Sequence, residues 1–332
     1  MSERSIYSKM SFELNLLVVV AILLIVATIS HARAGTDSWK DLMAAGNAAL
    51  DQGRYADAEK SFTAALKLAE KFGEQDTRLA SVLNSLAESL GSQGKYRQAE
   101  PLFKRALKID EASLGPDHPG VATVLNNLGG LYDLQKRYAE AEPLYMRALS
   151  IDEKKLGPGH PNVAIDLNNL AVLYREQGKF EKAEELYLRA LPILEKALGP
   201  THSWVASSVN NLALLYVKQG RYDLAEPLYK RAIETNEEVL GKNHPTVALG
   251  VLNLASFYAQ QDKFELAEPL YQRALSIGES SMSDSNPDLA TILEGYSAFL
   301  RRTNRPAEAD RLEARALKIR AKHTHREERP NN

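Results

Sequence analysis

The chain has 332 residues, 44% hydrophobic and 25% charged, a balance that supports packed cores and argues against wholesale disorder. A net charge of −2 offers no electrostatic footprint for nucleic acid. No cysteine is present, which excludes disulfides, thiolate metal sites and lipidated thiols and is compatible with any redox compartment.

Residues 1–34 differ in kind from the remainder of the chain. Arg4 and Lys9 precede an uncharged apolar run, LLVVVAILLIVATI, at 16–29. Ala32-Arg33-Ala34 then offers small residues at the two positions a signal peptidase reads, ahead of Gly35. The run is shorter than the roughly 20 apolar residues of a membrane span and fits the centre of a cleaved export signal. Glu3 and Glu13 weaken the positive flank, so an uncleaved anchor through residues 16–29 is the alternative. On either reading the rest of the chain is expected to be exported in a bacterial host, periplasmic or secreted.

From residue 38 the sequence is periodic. LGPDHP at 114–119 returns as LGPGHP at 156–161, LGPTHS at 198–203 and LGKNHP at 240–245, each step being 42 residues. The same step carries YAEAEPLYMRAL at 138–149 to FEKAEELYLRAL, YDLAEPLYKRAI and FELAEPLYQRAL. Weaker copies extend it in both directions, giving seven units near 38–72, 76–113, 118–155, 160–197, 202–239, 244–281 and 286–320. Residues 321–332, charged and proline-terminated, are expected to form a disordered tail.

Each unit reads as two helices. In the third, Leu125, Leu128, Gly129 and Tyr132 recur at i, i+3, i+4 and i+7, one apolar stripe. Lys136-Arg137 closes that helix at a short turn; Ala141, Leu144, Tyr145 and Ala148 then mark a second, with Pro143 expected in its first turn, where no backbone donor is lost. Gly115 and Pro116 stop one helix and Pro119 starts the next. Two short antiparallel helices cannot bury their own apolar faces, so the fold expected is an all-α solenoid of stacked hairpins.

Leu128-Gly129, Tyr132, Ala141, Tyr145 and Ala148 resemble the tetratricopeptide repeat (TPR) pattern of alternating large and small packing residues. With LNNLA, AEPLY-x-RAL and LG-x-x-HP at 42-residue spacing, the chain resembles the kinesin light chain class of that family over residues 38 to about 320. The resemblance implies a right-handed superhelix whose first helices line the concave wall. There is no N-terminal heptad region for pairing with a motor chain, so motor transport is not implied.

The doubled asparagines of LNNL at 125–128, LNNL at 167–170 and VNNL at 209–212 stand out, because Asn is a mediocre helix former. On a helical wheel with Leu125 at zero, Asn126 falls at about 100°, on a flank facing a neighbouring helix, and Asn127 at about 200°, away from the core. Asn126 with its equivalents Asn84, Asn168 and Asn210 is therefore expected to bond between repeats. Asn127, Asn169, Asn211 and Asn253 match the groove asparagine of peptide-binding TPRs, which the resemblance implies holds ligand backbone. A primary amide can grip both N–H and C=O of an extended chain. The bland alternative is solvated polar residues, or inheritance without a ligand.

The same stripe carries Thr123, Gly130 and Leu134, then Ile165, Val172 and Glu176, then Ser207, Leu214 and Lys218, then Leu249, Ser256 and Gln260. This wall reads as neutral and partly apolar, without the lysines and arginines of carboxylate-clamp TPRs, and predicts an extended peptide of mixed character. Trp204 falls at the lip of the groove, as an aromatic anchor or packed on the preceding loop. Trp39 is placed over the open end of the stack. Ala44, Ser85 and Gly295 replace the groove asparagine in the first, second and last units, which read as caps.

Four histidines, at 118, 160, 202 and 244, recur one per loop; equivalent loops in a stack do not converge, so they read as helix caps rather than metal ligands. HExxH, GxSxG and GxxxxGK[ST] are absent, so no catalytic, cofactor-binding or metal residues are assigned. The leading reading is a non-enzymatic exported scaffold for a protein or peptide partner, with no nucleic acid and membrane contact only through an uncleaved N-terminus. The alternatives are a self-associating structural component and a regulatory subunit of a separate enzyme.

Overall fold

The structure, a computed structural model, describes residues 38–284 and 286–327. The expected export segment at 1–34, its apolar run at 16–29 included, lies outside the described residues, as do 328–332.

The described chain is all-α, as the periodicity predicts. Helix α1 spans 38–51. There follow α2 (Tyr55–Ala69, continued by a 3-10 turn, Glu70–Phe72), α3 (Thr77–Gly91), α4 (Tyr96–Leu114), α5 (Pro119–Leu134), α6 (Tyr138–Leu156) and α7 (Pro161–Glu176). Next come α8 (Phe180–Leu198), α9 (Ser203–Lys218), α10 (Tyr222–Leu240), α11 (Pro245–Gln260), α12 (Phe264–Ser281), α13 (Pro287–Arg302) and α14 (Pro306–Glu327). From α3 onward each odd helix packs against the even helix after it. Helix α14 continues through Glu327, so the tail expected from 321 is helical for seven residues more. The charged composition of that stretch signalled exposure, and Glu, Lys and Arg are good helix formers.

The helix starts have a shared chemistry. His118, His160, His202 and His244 each accept, through Nδ1, the backbone N–H two residues on, at 3.0, 3.2, 3.2 and 3.2 Å. Asp76 and Asn286 do the same for α3 and α13, and Pro119, Pro161, Pro245 and Pro287 occupy first helical positions. Within each hairpin the reversal needs a left-handed residue. Gly94, Gly178 and Gly220 supply it, while Lys136, at the same register, holds φ 59° without glycine's freedom.

Pro143 is placed differently from the expectation. Helix α6 begins at Tyr138, so Pro143 is its sixth residue, inside the helix, where one i→i−4 bond is lost. The tight reversal at Lys136 starts the helix earlier than a proline-first reading requires. Pro101, Pro227 and Pro269 repeat the arrangement.

The core is a strip rather than a ball. Leu125, Leu128, Tyr132, Ala141, Tyr145 and Ala148 are buried, as is Val121 on the same stripe, and so are Val124 and Leu131 beyond its edge. The buried arc of α5 is thus wider than the sequence stripe, because the helix packs on its own hairpin partner and on neighbouring repeats. Outside, arginines of the RAL segments reach back one unit to glutamates: Arg147 to Glu111 at 2.7 Å, Arg231 to Glu195 at 2.6 Å and Arg315 to Glu279 at 2.6 Å. These half-exposed pairs set register more than stability, at under about 1 kcal/mol each.

Successive odd helices from α3 to α13 touch one another, whereas successive even helices are not in comparable contact. The odd helices therefore occupy the inside of the curve. The curve is tight enough to bring its ends together. Tyr55 Oη, at the start of α2, donates to Asp288 of α13 at 3.2 Å, and Asn286 Nδ2 donates to the Gly53 carbonyl at 3.1 Å.

Candidate functional site

On the inner wall the doubled asparagines form a ladder between repeats. Asn127 Nδ2 donates to Asn84 Oδ1 at 3.1 Å, Asn169 to Asn126 at 3.4 Å and Asn253 to Asn210 at 3.2 Å. The second asparagine of one unit thus meets the first asparagine of the unit before it. Asn126 also donates to Asp166 Oδ1. Asn84, Asn126 and Asn210 bond between repeats, as their flank position implies. Asn168 differs: its Oδ1 is buried without a partner among the described residues. At that rung Arg175 intervenes, donating to the Asn211 carbonyl at 3.5 Å.

Asn127, Asn169, Asn211 and Asn253 are half-buried rather than turned away from the packing. The wheel places them opposite the stripe of an isolated helix; neighbouring odd helices extend the packed arc until it reaches them. Asn127, Asn169 and Asn253 spend one N–H on the ladder, and their Oδ1 atoms accept no hydrogen bond among the described residues. Asn127 and Asn169 line two adjoining concavities of about 280 and 270 Å³. Leu134, 61% exposed, borders the first, and Trp204, 47% exposed, borders the second with its ring edge-on to His202 at 5.6 Å.

Of the other expected wall residues, Val172 and Leu214 are half-buried against the core, and Lys218 is exposed. Glu176 is exposed and paired with Arg175 at 2.9 Å. Trp39 packs edge-on to Phe72 at 6.0 Å.

The wall is more acidic than its central stripe implies. Glu88 and Asp133 line the first concavity, Asp152 and Asp166 the second. Burial pushes Asp133 up to about 6, with Glu176 adding and Arg175 opposing. Burial also pushes Asp166 up to about 8, against its bond from Asn126 and with Asp152 and Glu153 adding. Glu88 is raised by burial and by Asp51. Sequence reasoning missed Asp166, although a signal existed: the same register holds Val124, Ser208, Gly250 and Ile292 in neighbouring units. An aspartate at a packing position is the anomaly.

The four loop histidines serve as caps, and among the described residues no group of three or more His, Asp or Glu is placed to hold a metal ion. No helix of the described residues is long and apolar enough to cross a membrane.

The family model of the tetratricopeptide repeat matches residues 42–112, 78–154, 134–196, 164–238, 204–250 and 246–322. The chain belongs to the tetratricopeptide repeat family. Its 42-residue repeats resemble those of the kinesin light chain class. The solved structure of BtubC (BKLC) from P. vanneervenii is 27% identical, with a TM-score of 0.54 over 67% of this chain and 90% of that one. A Podosopora anserina protein assigned as a kinesin light chain with nearly identical TPR-like repeats is 24% identical, with a TM-score of 0.48 over 62% and 98%. The Rap conjugation gene regulator of plasmid pLS20, solved with the Phr* peptide, is 14% identical, with a TM-score of 0.66 over 87% and 75%, and shares the fold. No curated protein matches the sequence.

Proposed function

We propose that this TPR protein is a non-enzymatic scaffold that binds an extended peptide segment of a partner along its inner wall, in an exported location. The observation that carries this reading is the row of half-buried amides on the odd helices, of which Asn127 and Asn169 each retain an acceptor oxygen beside an open concavity. An extended backbone presents N–H and C=O groups at regular intervals, and such amides satisfy them without regard to side chains. The Rap regulator with its Phr* peptide supports the reading by showing this architecture occupied by a peptide. The apolar run at 16–29 supports export.

The test is a displayed random-nonapeptide library panned on the wild-type protein and on a chain with Asn127, Asn169, Asn211 and Asn253 all changed to Ala. Enrichment by the wild type, reduced at least tenfold in the variant at an unchanged circular dichroism spectrum, is the expected result. Equal enrichment by both proteins removes the amides from recognition. Sequencing the N-terminus of the mature protein checks export, which predicts a chain beginning near Gly35.

A further inference from the structure

The second concavity contains two carboxyl groups whose chemistry the ladder does not absorb. Asp166 of α7 is 1% exposed and Asp152 of α6 is 2% exposed. Asp166 Oδ2 and Asp152 Oδ1 have no hydrogen-bond partner, and no lysine or arginine among the described residues pairs with either. The surrounding charges are Glu153, already paired with Arg189, and His160, whose Nδ1 is engaged as a cap. Two partnerless acceptors in one pocket leave an unfavourable site that a donor-only group would satisfy. Asn126, Asn127 and Asn169 line this pocket and the adjoining one, so a backbone lying along the amides can direct a side chain inward. Trp204 exposes an aromatic ring over the same space.

We propose that this concavity, of about 270 Å³, is a subsite for one arginine side chain of the bound peptide, with Asp166 and Asp152 accepting from the guanidinium and Trp204 covering it. It rests on the peptide-binding reading above and adds a selectivity to it. A guanidinium is planar and carries five donors and no acceptor, which suits two acidic oxygens; its face also stacks on an indole. A lysine ammonium satisfies the charge but has neither the fork nor the face. The pairing is local to the junction of the third and fourth units, since equivalent positions of Asp166 are Val124, Ser208, Gly250 and Ile292.

The same nonapeptide library, panned on wild type and on Asp166→Asn, tests the subsite, because Asn preserves the acceptor for Asn126 and removes the ionisable carboxyl. Wild type is expected to enrich arginine at one position. The variant is expected to keep the other preferences and lose that one. A wild-type hit resynthesised with citrulline for arginine should bind at least tenfold more weakly to wild type and unchanged to Asp166→Asn. Trp204→Leu gives a second variant that leaves both carboxyl groups in place and should lower arginine preference over lysine. Peptides enriched without arginine, or arginine preference intact in Asp166→Asn, overturn the subsite while leaving peptide binding standing. No enrichment by wild type overturns both.

Discussion

Asp166 shows what a single residue does to this array. Its carboxyl, normally near 3.8, is held at about 8 by burial, with Asp152 and Glu153 adding. Between those values the folded chain holds a proton that the unfolded chain has released. Stability contributed there is full below about pH 4 and is lost as pH rises toward 8. Asp133 and Asp110, both held at about 6 by burial, add loss of the same sign in the lower half of that window. Glu100, pulled down to about 2 by Arg137 and Lys104, acts oppositely, but only below its usual 4.5. Urea unfolding should therefore give a lower stability at pH 8.5 than at pH 5. Asp166→Asn should recover a difference on the order of a few kcal/mol at pH 8.5 and little at pH 5. Equal profiles for the two proteins would place the carboxyl in a wetter setting. The inter-repeat bonds of Asn84, Asn126 and Asn210 lie on a flank whose neighbour the repeat guarantees, whereas Asn168 at the same register keeps a buried, partnerless Oδ1. The half-burial of the second asparagine was not legible, because it depends on how closely adjacent odd helices approach. Asp166 was visible only as a break in register.

At the scale of the helix, the histidine caps explain why one imidazole recurs in each of four loops. An Nδ1 that accepts a backbone N–H must be unprotonated, so each cap requires the neutral ring. His244 is kept below its ordinary value chiefly by burial, with the Asp51 backbone opposing. That depressed group contributes stability at neutral pH that is lost as pH falls below its usual 6.5. His202→Ala should lower stability by about 1 kcal/mol, whereas His202→Asn, which copies the cap Asn286 provides for α13, should retain it. Thermal melts at pH 7.5 check this; an Ala variant as stable as wild type would make the Nδ1 contact incidental. Helix number, order and hairpin pairing were readable because a 42-residue period repeats both the stripes and the stop signals. The placement of Pro143 was not, since proline tolerance in a first turn says nothing about where the turn begins.

Across the whole molecule, the feature no local pattern contains is the meeting of the two ends. Stacked repeats touch only their neighbours, so a small rotation at each interface accumulates along the array and leaves the overall curvature soft. Tyr55 and Asp288 lie 233 residues apart, and their bond, with that of Asn286 to Gly53, fixes the accumulated curvature at one value. Arg320 of α14 pairs with Glu294 of α13 at 2.9 Å, and its charge also acts on Asp288. Asp288 is raised by burial with the Tyr55 hydroxyl opposing that rise, so removing the hydroxyl leaves a buried carboxyl with one donor fewer. Tyr55→Phe should therefore favour opening of the superhelix while each hairpin stays folded. Small-angle scattering is expected to show a larger radius of gyration at unchanged helix content, and hydrogen exchange should speed up at the start of α13 but not in α7. The inner wall would become accessible from the side as well as along the axis, so a groove-binding peptide should associate faster with the variant. If scattering and exchange match those of wild type, the curvature is set by the repeat interfaces alone and the Tyr55–Asp288 contact is a passive result of it.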